Sequence, residues 1–285
     1  MRPGESSKTA VFVCAGRALA HGAAGVGAFS DPTALALLPE AERAWVERAR
    51  AHQLPQSGRE RWVLAAAERR AMMMVARTVA IDEMVRAAAC RQVVVLGAGL
   101  DGRAWRMPEL ADATVFEVDH PDSQVVKQAR VRGLTQLARE VRFVAVDFTR
   151  DDLERALASA GHDPAQPTAW VWEGVVMYLT RAEVSATLAV IARRSAVGSR
   201  LFTYYHRPGL LMLLVGVWVR RLGEPFRSTF GVAAMRRLLA KHGFRVMSDD
   251  GLPSLGARVS PSVGAATRWL RHARIAVAER VEGGA

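Results

Sequence analysis

The chain has 285 residues, half of them hydrophobic, and carries 39 Lys and Arg against 28 Asp and Glu, a formal net charge of +11. That length and apolar content suit one large domain with extra segments better than two independent domains. Only Lys8, Lys127 and Lys241 are lysines, and the arginines are scattered without a basic cluster interleaved with aromatics, which argues against a nucleic-acid partner.

The first ninety residues read as helical. Residues 59–89 contain no glycine or proline and are rich in Ala, Met, Leu and Arg, so they predict one long helix. Shorter helical pieces precede it, broken near Gly22–Gly27 and Pro55–Gly58. The apolar run at 10–16 is cut by Arg17 and His21 and is short for a secretion signal. Cys14 and Cys90 lie in apolar surroundings without metal-ligand spacing, which predicts buried free thiols, no metal site and a reducing compartment. A cytoplasmic location is therefore expected.

From Gln92 the rhythm changes. Runs rich in valine and aromatics at 92–96, 114–118, 142–146, 169–172 and 200–204 alternate with helical stretches near 121–138, 151–160 and 181–196. That alternation predicts an α/β fold, a doubly wound and mostly parallel sheet covered on both faces. An apolar insertion at about 207–230 follows, with 210–219 too short to span a bilayer. A helix near 232–242, stopped by Gly243, leads to a strand at 244–247. The tail reads either as a last strand at 274–279 or as one helix over 265–281. The expected division is a helical cap over 1–90 and a Rossmann-like core over 91–285, with the insertion as a lid.

Polar residues recur where the predicted strands end. Gly97-Ala98-Gly99 and Asp101 follow the first, Asp119-His120 the second, Asp147-Phe148 the third and Glu173-Gly174 the fourth. Glycines there let the backbone turn sharply and approach a ligand. Asp119, 22 residues beyond Gly97, suits a carboxylate that accepts from ribose hydroxyls. Each acid could instead cap the next helix, but four such positions in phase point to a shared ligand site. A nicotinamide dehydrogenase shares this turn and acid, yet the third glycine at the usual offset is missing.

Three segments together are similar to the leucine carboxyl methyltransferase family, a branch of the S-adenosylmethionine-dependent methyltransferases. They are Leu96-Gly-Ala-Gly-Leu-Asp-Gly-Arg-Ala-Trp-Arg106, Phe116-Glu-Val-Asp-His-Pro121 and Glu173-Gly-Val-Val-Met-Tyr-Leu179. The resemblance extends to Ser7-Lys-Thr-Ala10 with Arg17, Arg77 with Asp82, and Gly223-Glu-Pro-Phe226. One departure is visible: where the family usually has Thr, this chain has Gly102, which removes a hydroxyl and loosens the loop. The resemblance implies a seven-stranded class I methyltransferase fold and S-adenosylmethionine as cofactor. It implies that Gly97, Ala98, Gly99 and Asp101 line the amino-acid and ribose portion, with Asp119 on the ribose and His120 in the same loop. Asp147 and Phe148 meet the adenine, Lys8 and Arg77 hold the cofactor's carboxylate, and Glu173 with Gly174 lies near its amino group or sulfonium.

For the acceptor, the expectation is a small apolar molecule whose carboxylate becomes a methyl ester. A carboxylate is ionised near neutral pH and needs alignment rather than a base. Tyr178, Tyr204, Tyr205, His206, Arg207 and Arg227 are the candidates to position it. A hydroxyl acceptor, as in secondary metabolism, would gain from a base such as His120 or His206. A non-catalytic cofactor-binding protein of the same fold is the third reading.

Overall fold

The computed structural model describes residues 7–53, 57–148, 150–209 and 225–282. Four helices precede the first strand: α1 (Lys8–Ala20), α2 (Ala34–Leu37), α3 (Glu40–Arg50) and α4 (Gly58–Ala88). The 31-residue α4 begins on a capping box. Ser57 Oγ accepts from the Glu60 N–H at 3.2 Å, and the Glu60 carboxylate accepts from the Ser57 N–H at 2.9 Å.

Seven strands then form one sheet: β1 (Gln92–Leu96), β2 (Thr114–Asp119), β3 (Glu140–Ala145), β4 (Thr168–Trp172), β5 (Arg200–His206), β6 (Phe244–Gly251) and β7 (Ala273–Arg280). Their order is β3-β2-β1-β4-β5-β7-β6, with β1 to β5 parallel and β7 antiparallel to both neighbours. The intervening helices are α5 (Arg103–Arg106), α6 (Pro121–Val131), α7 (Leu153–Ser159), α8 (Arg181–Arg193), α9 (Val232–Lys241), α10 (Leu252–Val259) and α11 (Pro261–Thr267).

The central strands are apolar throughout because both faces are buried. Val93, Val95, Val115, Val171, Phe202 and Tyr204 join α1, α2 and α4 in one core. Val94, Leu96, Phe116, Trp172, Leu201 and Tyr205 join α7, α8 and α9 in the other. Strand alternation thus sends the adjacent Tyr204 and Tyr205 to opposite sides. The chain order reverses between β1 and β4, so the crevice where a doubly wound sheet takes its ligand lies beyond their carboxyl ends.

The helix expected over 121–138 ends at Val131, leaving residues to turn through Gly133 and reach β3 at Glu140. Of the two readings of the tail the strand holds: α11 ends at Thr267 and β7 inserts between β5 and β6. The helices α10 and α11 were not read in the sequence, because Pro253, Gly256, Ser260, Pro261 and Gly264 resemble loop punctuation. Here both prolines occupy first-turn positions, where no N–H is needed. A Cβ on Gly256 would lie 2.2 Å from Thr267 Oγ1, so the glycine permits the helices to cross closely. Of the apolar insertion, 210–224 lies outside the described residues. Residues 225–230 return beside the sheet, where the Arg227 N–H donates to Met177 C=O and the Phe230 N–H to His206 C=O. Among the described residues no helix is long and apolar enough to cross a membrane, and both cysteines are free thiols.

Gly256→Ala is expected to destabilise the fold by about 1–3 kcal/mol through overpacking. Adding Thr267→Ala should recover part of that loss in urea denaturation. An unchanged midpoint in the single variant would mean that the two helices are free to separate.

Candidate functional site

Parallel register brings the strand ends together. Leu96 pairs with Val118 on one side and Trp172 on the other, and Asp119 pairs with Ala145. The residues that follow therefore share one edge of the sheet. Gly97 turns at φ +68°, and a Cβ there would sit 2.2 Å from Val175 Cγ2. The Gly97 and Ala98 N–H groups both donate to Val118 C=O, at 2.8 and 3.0 Å. Gly99, at φ +47°, donates its N–H to Asp119 Oδ2, while the His120 N–H reaches Asp119 Oδ1 at 2.6 Å. Burial raises the Asp119 carboxyl above its ordinary range, against the pull of those two donors.

A buried chain of charges lies behind this turn. Arg17 on α1 pairs with Asp31 at 2.9 Å, and Asp31 meets Arg106 at 3.5 Å. Arg106 pairs with Asp82 on α4 at 2.6 Å, and Asp82 with Arg103 at 2.7 Å. Arg103 also holds Asp101 and, at 3.0 Å, Glu173. Glu173 closes the chain on Arg77 of α4 at 2.5 Å. Four arginines thus face four carboxylates, all nearly dry. Burial alone would raise Glu173, but Arg77 and Arg103 outweigh it and hold the carboxyl below its usual range; Asp101 is held low in the same way by Arg103 and its neighbours.

The remaining donor-side candidates take varied places. Lys8 is exposed at the first position of α1, whose Ala10 comes 3.1 Å from where a Gly99 Cβ would be. His120 caps α6, its Nδ1 accepting from the Asp122 N–H at 3.3 Å. Asp147 and Phe148 are half-buried beyond β3, and the Asp147 N–H donates to Asp151 Oδ2 at 2.8 Å. Gly174, at φ +74°, has open space where a Cβ would project. Gly102 does not loosen its loop: Thr33 Oγ1 fills the place of the missing side chain, 2.1 Å from an ideal Cβ. That hydroxyl donates to Asp31 Oδ1 at 2.8 Å, so a threonine from another segment occupies the gap.

Of the acceptor candidates, three converge. Tyr204 and His206 share a face of β5, with His206 Nε2 3.0 Å from Tyr204 Oη. Phe226 packs against both Tyr178 and His206, with centroids 5.6 and 5.8 Å apart. The Arg77 guanidinium lies 4.9 Å over the Tyr204 ring, which joins this cluster to Glu173. Tyr205 does not converge: it points to the opposite core and donates to Asp249 Oδ2 at 2.8 Å. Arg227 also turns away, exposed and paired with Glu183 at 3.2 Å. Arg207 is exposed beyond the end of β5.

Sequence reasoning missed Asp31, Thr33, Phe226 as a ring partner, His272, and the buried pair Glu117–Lys127 at 2.6 Å. A charged residue inside the apolar strand at 114–118 was the available signal for that pair, matched by one of only three lysines. Burial raises Glu117 to about 7, against the pull of Lys127.

Residues 10–192, well over half of the chain, match the sequence model described as leucine carboxyl methyltransferase. Proteins provisionally named S-adenosyl-L-methionine-dependent methyltransferases are similar. One from Frankia alni is 37% identical over 61% of this chain and 59% of its own length. One from Streptomyces coelicolor is 44% identical over 46% and 47%. The chain spans about half the length of the curated relatives it matches. Among solved structures, a DUF574-family protein from Streptomyces avermitilis has a TM-score of 0.57 at 13% identity, covering 98% of this chain and 99% of its own. A protein from Thermobifida fusca described as a methyltransferase has a TM-score of 0.54 at 16% identity, covering 97% and 96%. These two show the shared fold.

Asp82→Ala would remove one of the four carboxylates and leave a net positive charge on the dry Arg103 and Arg106, which keep Asp101, Glu173 and Asp31. Removing one partner of a buried pair costs about 3–5 kcal/mol, which urea denaturation should register; a loss below 1 kcal/mol would mean that water reaches the chain of charges. His206 offers a pH test. Burial, with His272 and Arg77 nearby, lowers it from 6.5 to about 3. Between those values the unfolded chain binds more protons, so this residue makes stability fall as pH drops from 6.5 towards 3. Replacing it with Gln should flatten that slope.

Proposed function

The chain belongs to the leucine carboxyl methyltransferase family, and from that premise we propose that it is an S-adenosylmethionine-dependent O-methyltransferase acting on a small apolar acceptor. The observation that carries the donor half is the edge formed by Gly97, Gly99, Asp119 and Gly174, with three positive-φ glycines and the Gly99 backbone held against a half-buried carboxylate. S-adenosylmethionine, when bound, supplies an electrophilic methyl group on a sulfonium cation.

The residues present suit that ligand. Asp119 uses one lone pair on each oxygen for backbone N–H groups and keeps the others for ribose hydroxyls. The open face at Gly174 admits the ligand beside Glu173, and a negative carboxylate there complements a sulfonium or ammonium. Arg77 keeps donors beyond the nitrogen bound to Glu173, so with Lys8 at the rim it can hold the cofactor's carboxylate. Phe148 offers an apolar wall to the adenine and Asp147 an acceptor for its amino group. The helices α1 to α4 act as a cap, since α1 crosses the glycine turn through Ala10. Excluding water around the reacting oxygen is their part in the chemistry.

Carboxylate and hydroxyl acceptors ask for different partners. An anionic acceptor needs a further cation, since Arg77 is taken up by Glu173 and, on this reading, by the cofactor's carboxylate, while Arg227 is paired with Glu183. The neutral His206 beside Tyr204 favours the second reading, a hydroxyl acceptor.

Isothermal calorimetry is expected to detect S-adenosylmethionine and not nicotinamide dinucleotides; the reverse preference overturns the proposal. Asp119→Ala should weaken cofactor binding at least about tenfold, as a hydrogen bond to a charged group contributes about 1.5–3 kcal/mol. Unchanged affinity would leave Asp119 as no more than a tie between the turn and α6.

A further inference from the structure

One buried imidazole nitrogen near the donor edge has no partner among the described residues. The Nδ1 of His206 makes no hydrogen bond to them, although Nε2 of the same ring lies 3.0 Å from Tyr204 Oη. Leaving a buried polar group unsatisfied costs free energy, and such groups in native structures call for a ligand, a water or a functional reason. Three rings contact this imidazole, one from its own strand and two from other segments, and a fourth stands behind them. Tyr204 stands edge-on at 5.1 Å, His272 at 5.3 Å and Phe226 at 5.8 Å, while Tyr178 packs on Phe226. Tyr178 also reaches Thr9 of α1, 3.4 Å from its hydroxyl, so the cluster abuts the same helix that crosses the glycine turn. Arg77 over the Tyr204 ring connects it to Glu173.

We propose that this ring cluster is the acceptor-binding site, and that it takes a neutral aromatic molecule whose hydroxyl hydrogen-bonds to Nδ1 of His206. The assignment rests on the O-methyltransferase reading above and adds the acceptor's class and its anchor. Tyr204 Oη can donate to Nε2 or accept from it, so Nδ1 carries either an N–H or a bare lone pair. A hydroxyl both donates and accepts, and it satisfies Nδ1 in either state. A carboxylate only accepts, so it fits one tautomer and brings a charge into a ring-lined site. Its desolvation would have to be offset by a cation. The cation that faces the cluster, Arg77, is already matched by Glu173, and His206 and His272 are both disposed towards their neutral forms by burial. The surrounding faces and edges suit a planar ring in offset or edge-on contact.

The test uses two ring compounds of one shape, 4-methylphenol and 4-methylbenzoate, titrated into the full chain with and without S-adenosylhomocysteine. Ligand-observed NMR gives the affinities, and long-range ¹H–¹⁵N spectra of the histidine rings report on His206. The phenol should bind at least about fivefold more tightly than the benzoate and shift the His206 Nδ1 resonance. His206→Phe, which keeps a ring and removes the nitrogen, should weaken the phenol about fivefold, the loss of one hydrogen bond, while S-adenosylhomocysteine affinity stays unchanged. Tighter binding of the benzoate, or an Nδ1 signal in the unmodified protein that does not move, overturns the proposal even where the variant fails to fold. Failure of S-adenosylhomocysteine to bind overturns the donor reading instead, and the phenol titration without it still reads the ring cluster.

Discussion

The structure depends on a chain of buried charges that runs from Arg17 through Asp31, Arg106, Asp82, Arg103 and Glu173 to Arg77. It ties α1 and α4 to the loop after β1 and to the end of β4. With Asp101, which branches from Arg103, eight charges are buried; that is expensive, and the arrangement survives because four of each sign face one another. A well-packed apolar substitute could be as stable, so energy alone does not account for it. What the pairs supply is directional: guanidinium forks meet carboxylates in few geometries. The N-terminal helices are therefore held at a fixed height and angle over the glycine turn.

The same chain governs the electrostatics of the crevice. Asp101 and Glu173 stay ionised because Arg103 and Arg77 oppose the effect of burial. The arginines, in turn, are spoken for, and the ring cluster around His206 is left nearly neutral. That contrast, a carboxylate at one end and uncharged rings at the other, is the ground for the proposed pairing of a cationic donor with an uncharged acceptor. Thr33 belongs to the same system. Its hydroxyl fills the place a side chain at Gly102 would take and binds Asp31, so the loop keeps its packing with a residue borrowed from a distant segment.

Legibility followed the range of the interactions. The strands at 92–96 and 169–172 were plain because burial on both faces leaves a continuous apolar run. The turn at Gly97 and Gly99 was plain because positive φ selects glycine locally. The helices α10 and α11 were hidden, since their glycines serve a close crossing that only the partner helix explains. Glu117 is an acid inside an apolar strand, and its partner Lys127, ten residues on in α6, comes to 2.6 Å only once the helix packs on the sheet. Tyr204 and Tyr205 were equal candidates as neighbours in sequence; the pleat sent only Tyr204 towards Arg77 and His206.

By itself the sequence determined the α/β alternation, the phase of the acids with the strand ends, and the family, because hydrophobic period and turn chemistry act over a few residues. The tertiary structure decided which arginine meets which carboxylate, which tyrosine faces the crevice, and that one imidazole nitrogen is left without a partner among the described residues. Those outcomes depend on side chains brought together from up to 169 positions apart, as Thr9 and Tyr178 are. Contacts between such distant segments leave no local pattern to read, and only the packing of helices on the sheet brings them within reach.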